Sequence, residues 1–143
     1  TRAHRDHREE SVTQIKTVQR GFATDLTHAI IGCAIEVHRE LGPGLLESPY
    51  EACLCHELGA AGIAYQQQAP LPVEYKGLRI DCGYRIDLLI ENQIVVEIKS
   101  IETLNRVHEA QLLTYMRLAN KRVGLLINFN SRILKDGIVR RVL

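Results

Sequence analysis

Three acidic side chains and one lysine stand among apolar neighbours in two separate stretches of the sequence. The stretch GLLESPY contains Glu47, and the stretch YRIDLLIENQIVVEIKS contains Asp87, Glu97 and Lys99. A charge in apolar surroundings is costly unless an opposite charge, a hydrogen-bond partner or a metal ion compensates it. These four residues are therefore candidates for a metal-binding or catalytic site.

The second stretch predicts a β-hairpin that brings Asp87 and Glu97 side by side. Apolar residues alternate with the others along both strands, so each strand has one all-apolar face, which includes Ile86 in the first strand. When these faces are matched, Ile90 opposes Ile94 across a three-residue loop whose second or third residue can be left-handed. Counting back along the strands then puts Asp87 directly opposite Glu97.

Two opposed carboxylates suggest a cation between them. Like charges directly opposite each other destabilise a sheet, and a divalent cation reverses the sign of that interaction. Hard oxygen ligands suit Mg²⁺ or Mn²⁺. Lys99 lies on the same predicted face as Glu97 and can neutralise the pair, orient a water or contact a phosphoryl oxygen. A purely structural salt-bridged cluster of Asp87, Glu97 and Lys99 is the alternative.

The elements before the hairpin predict where Glu47 lies. A helical stripe of apolar residues runs from Thr24 to Leu41, and the sequence Gly-Pro-Gly at 42–44 ends it. A second helix is predicted to begin with Ser48 as its N-cap, followed by a proline at the first helical position and Glu51 in a capping box. Glu47 therefore lies at the very start of that helix.

The rest of the chain predicts a mixed sheet with helices packed on it, an α/β (α+β) fold. A third helix follows the hairpin, with Asn105 as N-cap and Asn120 as its stop. The apolar run VGLLINF is typical of a central strand that is covered on both faces. The predicted strands are 63–68, 72–75, 78–81, 84–90, 94–99, 123–129 and 138–142, and the third helix is 106–118.

Composition and charge limit the classes of function. The 143 residues suit one domain, predicted at 24–143, preceded by a polar tail or accessory helix at 1–23. The two ends are basic and the middle is acidic, as expected for a cation site flanked by surfaces that bind anions. Tryptophan is absent and aromatic residues make up only 5%, which disfavours base-stacking platforms. Four cysteines without a CxxC spacing indicate free thiols in a reducing, cytoplasmic compartment, and no membrane span is predicted.

The motif Glu97-Ile98-Lys99 after an Asp, on a hairpin flanked by helices, resembles the PD-(D/E)XK nuclease superfamily. The stretch Gly44-Leu-Leu-Glu-Ser-Pro-Tyr50 is similar to the signature of the GxxExxY family, as are EVHRELGPGLLE, VEIKS and VHEAQLLTYMRL. Gln111 and Tyr115 also resemble the Q-x-x-x-Y element of RecB-like nucleases. This resemblance covers roughly residues 25–143 and implies a restriction-endonuclease-like core.

The resemblance implies a role for each matching residue. Asp87 and Glu97 would bind the metal, Lys99 would be the catalytic lysine and Glu47 would complete or support the metal site. His38 would be a further metal ligand on an early helix, or else a structural hydrogen-bond donor. Gln111 and Tyr115 would hold the substrate or the attacking water, and His108 would contact substrate or be solvated.

The function expected from these roles is hydrolysis of phosphodiester bonds by a nuclease that depends on Mg²⁺ or Mn²⁺. DNA is favoured over RNA as the substrate, and a homodimer is expected by resemblance. The alternatives are a catalytically silent module that binds nucleic acid or protein, and a phosphodiesterase acting on small nucleotides. Phosphate contacts are expected from the basic residues Lys121, Arg122, Arg132, Lys135, Arg140 and Arg141.

Overall fold

The computed structural model describes the backbone of residues 8–143 and the side chains of residues 24–143. The first seven residues of the predicted tail or accessory helix lie outside this range, and the helix α1 begins at Arg8. The helices are α1 (Arg8–Leu41), α2 (Glu47–Ala60) and α3 (Arg106–Ala119). The strands are β1 (Tyr65–Pro70), β2 (Val73–Tyr75), β3 (Leu78–Ile80), β4 (Arg85–Ile90), β5 (Ile94–Lys99), β6 (Val123–Asn128) and β7 (Ile138–Val142), with a 3-10 helix at Leu134–Gly137 before β7.

The sheet is mixed, as the sequence predicts. Five strands lie in the order β1-β4-β5-β6-β7, and β2 and β3 form a separate two-stranded hairpin. Strands β5 and β6 are parallel, while the other neighbours in the large sheet are antiparallel. The parallel pair follows from α3, which links the two strands and crosses one face of the sheet. This arrangement confirms the predicted α+β fold with a mixed central sheet.

Two apolar clusters cover the two faces of the sheet. Alternate residues of β5 divide between them, with Ile94 in one cluster and Val95 in the other. The first cluster joins the sheet to α1 and α2, for example through Ile30 and Leu54. The second joins it to α3, for example through Met116. Strand β6 is buried along its whole length, as predicted for a central strand. Within residues 8–143, no helix is both long and apolar enough to cross a membrane.

The start of α2 differs from the predicted capping box. The helix begins at Glu47, one residue before the predicted N-cap Ser48. Its N-cap is Leu46, whose apolar side chain makes no capping hydrogen bond. Glu51, predicted to close the box, instead accepts hydrogen bonds from Gln67 and Gln68 on β1. The capping-box prediction is wrong because a tertiary contact outside the helix uses that carboxylate. The prediction that Glu47 opens the helix is confirmed.

The ends of α3 follow the sequence signals. Asn105 is the N-cap, and its side chain accepts a hydrogen bond from the amide of Val107 at 3.0 Å. The ring of His108 accepts a hydrogen bond from the Asn105 amide at 3.1 Å and completes a capping box. At the other end, Asn120 is left-handed with a φ of 56°. His108 is thus a capping residue in this structure.

Candidate active site

The β4–β5 hairpin has the register that the sequence predicts. Ile90 pairs with Ile94, and the pairing continues to Leu88 opposite Val96. Asn92 is left-handed as expected, and Glu91 beside it is left-handed as well. One more step along this register reaches Asp87 and Glu97, where side chains replace the regular backbone ladder.

Asp87 and Glu97 each accept a hydrogen bond from the other's strand. The backbone amide of Asp87 donates to Glu97 Oε2 at 2.8 Å. The amide of Ile98, next to Glu97, donates to Asp87 Oδ2 at 2.8 Å. These two bonds hold both carboxyl groups between the strands, where they also contact each other. The hairpin therefore brings the two acids together as the sequence predicts.

Burial and the neighbouring charge change the protonation of Glu97. Only 5% of this residue is exposed. Burial first, and then the charge of Asp87, raise the pKa of Glu97 from 4.5 to about 8, and a carboxyl–carboxyl hydrogen bond to Asp87 adds to the rise. The hydrogen bond from the Asp87 amide and the charge of Lys99 oppose the rise. At neutral pH and without a cation, Glu97 therefore carries a proton, which it shares with Asp87 through the hydrogen bond between the two carboxyl groups.

Lys99 lies close enough to Glu97 to lower its pKa, and its side chain is half-buried. The ion pairs within the described residues join Glu36 to Arg39 and Glu109 to Arg141. The ammonium group of Lys99 is therefore not fixed in a salt bridge by any of these residues. A static salt-bridged cluster of Asp87, Glu97 and Lys99 is not what the described side chains form, and Lys99 is available to a ligand.

The chain from Gly42 to Tyr50 forms a stapled loop that leads into the first turn of α2. The hydroxyl of buried Tyr50 donates to the carbonyl of Gly42 at 2.6 Å and accepts from the amide of Leu45 at 3.1 Å. Its ring stacks on Phe129 with the centroids 4.7 Å apart. Gly42 and Gly44 both have positive φ values, 66° and 104°, which glycine adopts without strain. The spacing of glycine and tyrosine in this stretch thus has a structural reason.

The same loop places Glu47 at the end of β5. The hydroxyl of Ser100, the residue after Lys99, donates to the carbonyl of Leu45. Glu47 follows two residues later with its side chain exposed. The first turn of α2 therefore lies beside the chain that leaves β5 just beyond Lys99.

Asn128 is a buried polar residue that the sequence analysis missed. It is 2% exposed and lies opposite Lys99 in the parallel β5–β6 pair. Its side chain accepts from the amide of Ile101 at 3.1 Å and donates to the carbonyl of Ile101 at 2.9 Å. Asn128 therefore holds the chain that follows Lys99. Its position at the end of an apolar run is the only signal in the sequence that could have suggested this role.

His38 takes part in a structural hydrogen bond. Its Nε2 donates to the carbonyl of Ser131 at 2.7 Å, so α1 is tied to the loop after β6. Only Nδ1 remains as a possible metal-binding nitrogen. Among the described residues, no group of three or more His, Cys, Asp or Glu side chains is placed to hold a metal ion. The structure thus brings Asp87 and Glu97 together, and it does not gather His38 and Glu47 into one donor cluster with them.

Gln111 and Tyr115 lie one helical turn apart on α3 and contact each other. Gln111 Nε2 donates to the Tyr115 hydroxyl at 3.1 Å. The Tyr115 ring packs against Tyr84 at 6.0 Å between centroids, and Tyr84 immediately precedes β4, three residues before Asp87 in the sequence. Tyr115 also joins the cluster that contains Val95, so this helix covers the face of the sheet to which Glu97 belongs by alternation.

Gln68 on β1 is a second residue that the sequence analysis missed. Its side-chain amide donates to Asp87 Oδ1 at 3.3 Å and also to both oxygens of Glu51. Strand alternation changes at this point, because Ile86 packs with the α3 cluster whereas Leu88 packs on the opposite face. The prediction that Ile86 belongs to one continuous all-apolar face of its strand is therefore wrong, and the irregularity lies at Asp87, between Ile86 and Leu88.

A comparison with models of protein families gives a match over residues 24–142, which include the whole sheet and every residue of the candidate site. The matching model is that of the PD-(D/E)XK nuclease superfamily. The chain belongs to the PD-(D/E)XK nuclease superfamily. Asp87 and Glu97-Ile98-Lys99 have the order of acid and Glu-x-Lys for which the superfamily is named. Comparison with curated proteins gave no significant match, and comparison with solved structures gave none either.

Membership of the PD-(D/E)XK superfamily agrees with the observed fold. A mixed sheet with helices on both faces is consistent with the restriction-endonuclease-like core that the sequence predicts. The family match confirms the resemblance to this superfamily and suggests nuclease activity. PD-(D/E)XK nucleases generally use divalent metal ions, so the carboxylate pair is the part of the fold to test for metal binding.

Proposed function

We propose that the protein is a nuclease that hydrolyses phosphodiester bonds with Mg²⁺ or Mn²⁺ held by Asp87 and Glu97. The observation that carries this proposal is the convergence of the two carboxyl groups, each fixed by a backbone amide of the other strand. Membership of the PD-(D/E)XK superfamily supports it independently. DNA is the first substrate to test and RNA the second.

The donor set fits a hard divalent cation. Both groups are carboxylates, and carboxylate oxygens are the ligands that Mg²⁺ and Mn²⁺ prefer. Without a cation, the Asp87–Glu97 pair avoids two adjacent negative charges by retaining a proton, since burial and Asp87 raise the pKa of Glu97 to about 8. Glu47, exposed at the first turn of α2, and His38, through Nδ1, are the further ligands that we propose, and both would have to approach the pair.

The residues of the chain supply orientation and proton transfer. A bound cation would lower the pKa of a water molecule bound to it and would offset the negative charge of the phosphate. Lys99, which no described acid holds in an ion pair, would orient the attacking water or assist its deprotonation. The side chain of Gln111, which is hydrogen-bonded to Tyr115, would contact a strand of nucleic acid that lies beside α3.

Basic side chains would position the phosphates without reading the sequence. In this structure Arg141 pairs with Glu109, and Arg122 donates to the carbonyl of Leu143. The other four residues proposed for phosphate contacts are Lys121, Arg132, Lys135 and Arg140. Since contacts between basic side chains and phosphates are electrostatic, affinity for nucleic acid should fall steeply as the salt concentration rises.

One observation favours a second function, a catalytically silent module that binds nucleic acid or protein on the same fold. The described residues contain no cluster of three metal donors. In that case Asp87 and Glu97 would remain a proton-sharing pair, and binding would not depend on metal.

The finer family assignment and the cellular setting are also proposals. The stapled loop from Gly42 to Tyr50 supports membership of the GxxExxY family, and the contact between Gln111 and Tyr115 supports a RecB-like site. Four free thiols fit a cytoplasmic location. We further propose a homodimer and a domain that comprises residues 24–143.

A cleavage assay tests the proposed function. Labelled single- and double-stranded DNA and RNA are incubated with the wild-type protein in Mg²⁺, Mn²⁺ or chelator, beside Glu97→Ala and Lys99→Ala. Glu74→Ala is the matched control, because Glu74 is an exposed acid of the separate β2–β3 hairpin. Metal-dependent cleavage that both site variants lose supports the nuclease. Cleavage that survives in both variants contradicts it, and tight metal-independent binding without cleavage supports the silent module.

A further inference from the structure

Three consecutive glutamines of β1 differ in their contacts with the acids around the site. Gln68 donates to Asp87 Oδ1 at 3.3 Å and to Glu51 Oε1 at 3.0 Å. Gln67 donates only to Glu51, at 2.7 Å. Gln66 is exposed, and within the described residues its side chain has no hydrogen-bond partner. The strand therefore contains one glutamine that contacts the carboxylate pair and two that do not.

The backbone of Gln68 is strained at the point where it faces Asp87. Gln68 has a φ of 53°, in the left-handed region that residues with a Cβ rarely adopt. Among the described strand pairs, Gln67 pairs with Leu88 and Ala69 with Ile86, while Gln68 and Asp87 are skipped. Backbone strain of this kind clusters at functional sites. At this irregular position of the strand, the side-chain amide of Gln68 contacts both Asp87 and Glu51.

The contacts of Gln68 also join α2 to the sheet. Glu51 lies on α2 one turn after Glu47, so the two acids share a face of the helix. Gln68 and Gln67 together hold the Glu51 carboxylate through both of its oxygens. Because Gln68 donates to Glu51 and to Asp87 through the same nitrogen, the second turn of α2 is tied to β4 at the carboxylate pair.

We propose that Gln68 is a positioning residue that fixes the Asp87 carboxylate for cation binding, an inference that rests on the proposed function. One Asp87 oxygen is held by the amide of Ile98 and the other by Gln68, so the plane of the carboxylate is set before a cation arrives. A hydrogen bond to Oδ1 occupies one lone pair and leaves another for a metal ion. A neutral amide does this without adding the positive charge with which a lysine or arginine would repel the cation.

Substituting each glutamine by methionine tests the proposal, because methionine keeps the length of the side chain and removes the amide. Mn²⁺ affinity is measured by calorimetry for Gln66→Met, Gln67→Met and Gln68→Met. Loss of a residue that orients a metal ligand typically weakens affinity by about 10–100-fold, and we expect a loss in this range for Gln68→Met. Gln66→Met is the matched control and should bind as the wild type does, while Gln67→Met should lose less than Gln68→Met.

The activity assay adds a readout that a general loss of structure would not produce. For Gln68→Met, the Mg²⁺ concentration that gives half-maximal cleavage should rise by a similar factor, and excess Mg²⁺ should recover much of the rate. Gln68→Gly keeps the measurement valid if the methionine variant unfolds. Glycine adopts the left-handed φ without strain, and it lacks the side-chain amide of Gln68. The Gln68→Gly variant should therefore fold and should bind Mn²⁺ weakly.

The outcomes separate this proposal from the one on which it rests. A wild-type protein that neither binds Mn²⁺ nor cleaves nucleic acid would overturn the proposed function, and the positioning role with it. A wild type that does both, beside folded Gln68→Met and Gln68→Gly variants with wild-type Mn²⁺ affinity, would overturn the positioning role alone.

Discussion

The backbone amide of Asp87 donates a 2.8 Å hydrogen bond to the carboxylate of Glu97, the residue that lies opposite it in the hairpin register. In return, Asp87 accepts from the amide of Ile98. Two side chains thus take over the hydrogen bonds that the backbone ladder would otherwise make. Neither acid can turn away without leaving a backbone amide unpaired, so the fold itself keeps the two carboxyl groups together.

The metal-free protein should lose stability as pH rises from about 4.5 to about 8. Burial and Asp87 raise the pKa of Glu97 to about 8 in the folded state, above its value of 4.5 in an unfolded chain. Between these values the folded state binds more protons, so the free energy of unfolding falls by up to about 1.4 kcal/mol per pH unit and levels off above about pH 8. Urea unfolding in chelator across this range measures the slope.

Glu97→Gln is the control for that slope. Glutamine can accept from the Asp87 amide and donate to the Asp87 carboxylate, as protonated Glu97 does, but it does not titrate. The variant should match the wild type at about pH 5 and exceed it at about pH 9. Parallel curves for the two proteins would show that Glu97 is ionised throughout, contrary to this account.

Tyr50→Phe should destabilise the protein and reduce cleavage together. The substitution removes the hydroxyl that bonds the carbonyl of Gly42 and the amide of Leu45, and each hydrogen bond lost typically costs about 0.5–1.5 kcal/mol. The loop that presents Glu47 would then lose its staple. Thermal unfolding and the cleavage rate check the two effects. Tyr75→Phe is the control, because the Tyr75 ring is 59% exposed and its contact with Lys76 needs no hydroxyl.

Asn128→Leu should cost about 1–3 kcal/mol, because it leaves the half-buried amide of Ile101 without its acceptor and removes one of the two side chains that donate to the Ile101 carbonyl, the other being Asn130. Asn128→Asp should also destabilise the protein at neutral pH, because its carboxylate can accept from the Ile101 amide but cannot donate to the Ile101 carbonyl, and the charge would be buried. Chemical unfolding of the two variants measures both losses of stability. Equal stability of the leucine variant and the wild type would mean that the chain beyond Lys99 does not depend on this side chain.

Lys99→Met should lower the maximal cleavage rate by about 100-fold or more, the usual scale for a group that orients or deprotonates a nucleophile. At a pH above the pKa of Glu97 it should leave Mn²⁺ affinity unimpaired, because Lys99 is proposed to contact water and phosphate but not the metal. Removing its charge should also raise the pKa of Glu97, which Lys99 now lowers. Single-turnover kinetics measures the cleavage rate, and calorimetry measures Mn²⁺ affinity. A Lys99→Met variant that loses Mn²⁺ binding but retains the cleavage rate would contradict the role proposed for Lys99.

Sequence patterns predicted the parts of the site that depend on strand alternation and loop length. Ile90 faces Ile94 because a three-residue loop and matched apolar faces permit only that register, and the meeting of Asp87 with Glu97 follows. Patterns could not predict partners that come from distant elements. Glu51 fits a local capping box, yet glutamines of β1 bind it in the folded protein.

The contacts of Gln68 and Asn128 depend on which strands become neighbours, and this is a property of the sheet order. Gln68 reaches Asp87 because β1 lies beside β4, and Asn128 holds Ile101 because β6 lies beside β5. Nothing in the local spacing of either residue indicates such a partner. The irregular alternation at Ile86 has the same origin, since it occurs where Gln68 and Asp87 leave the ladder.

Calorimetric titration of the wild type, Asp87→Asn and Glu97→Gln with Mn²⁺ measures whether Asp87 and Glu97 hold a cation together. The wild type should bind Mn²⁺ at about pH 8, and its affinity should weaken as pH falls and Glu97 takes up its proton. Each substitution should abolish Mn²⁺ binding or weaken it at least tenfold. Binding of equal strength in all three proteins, or none in a folded wild type, would contradict the claim that these two carboxylates share a cation.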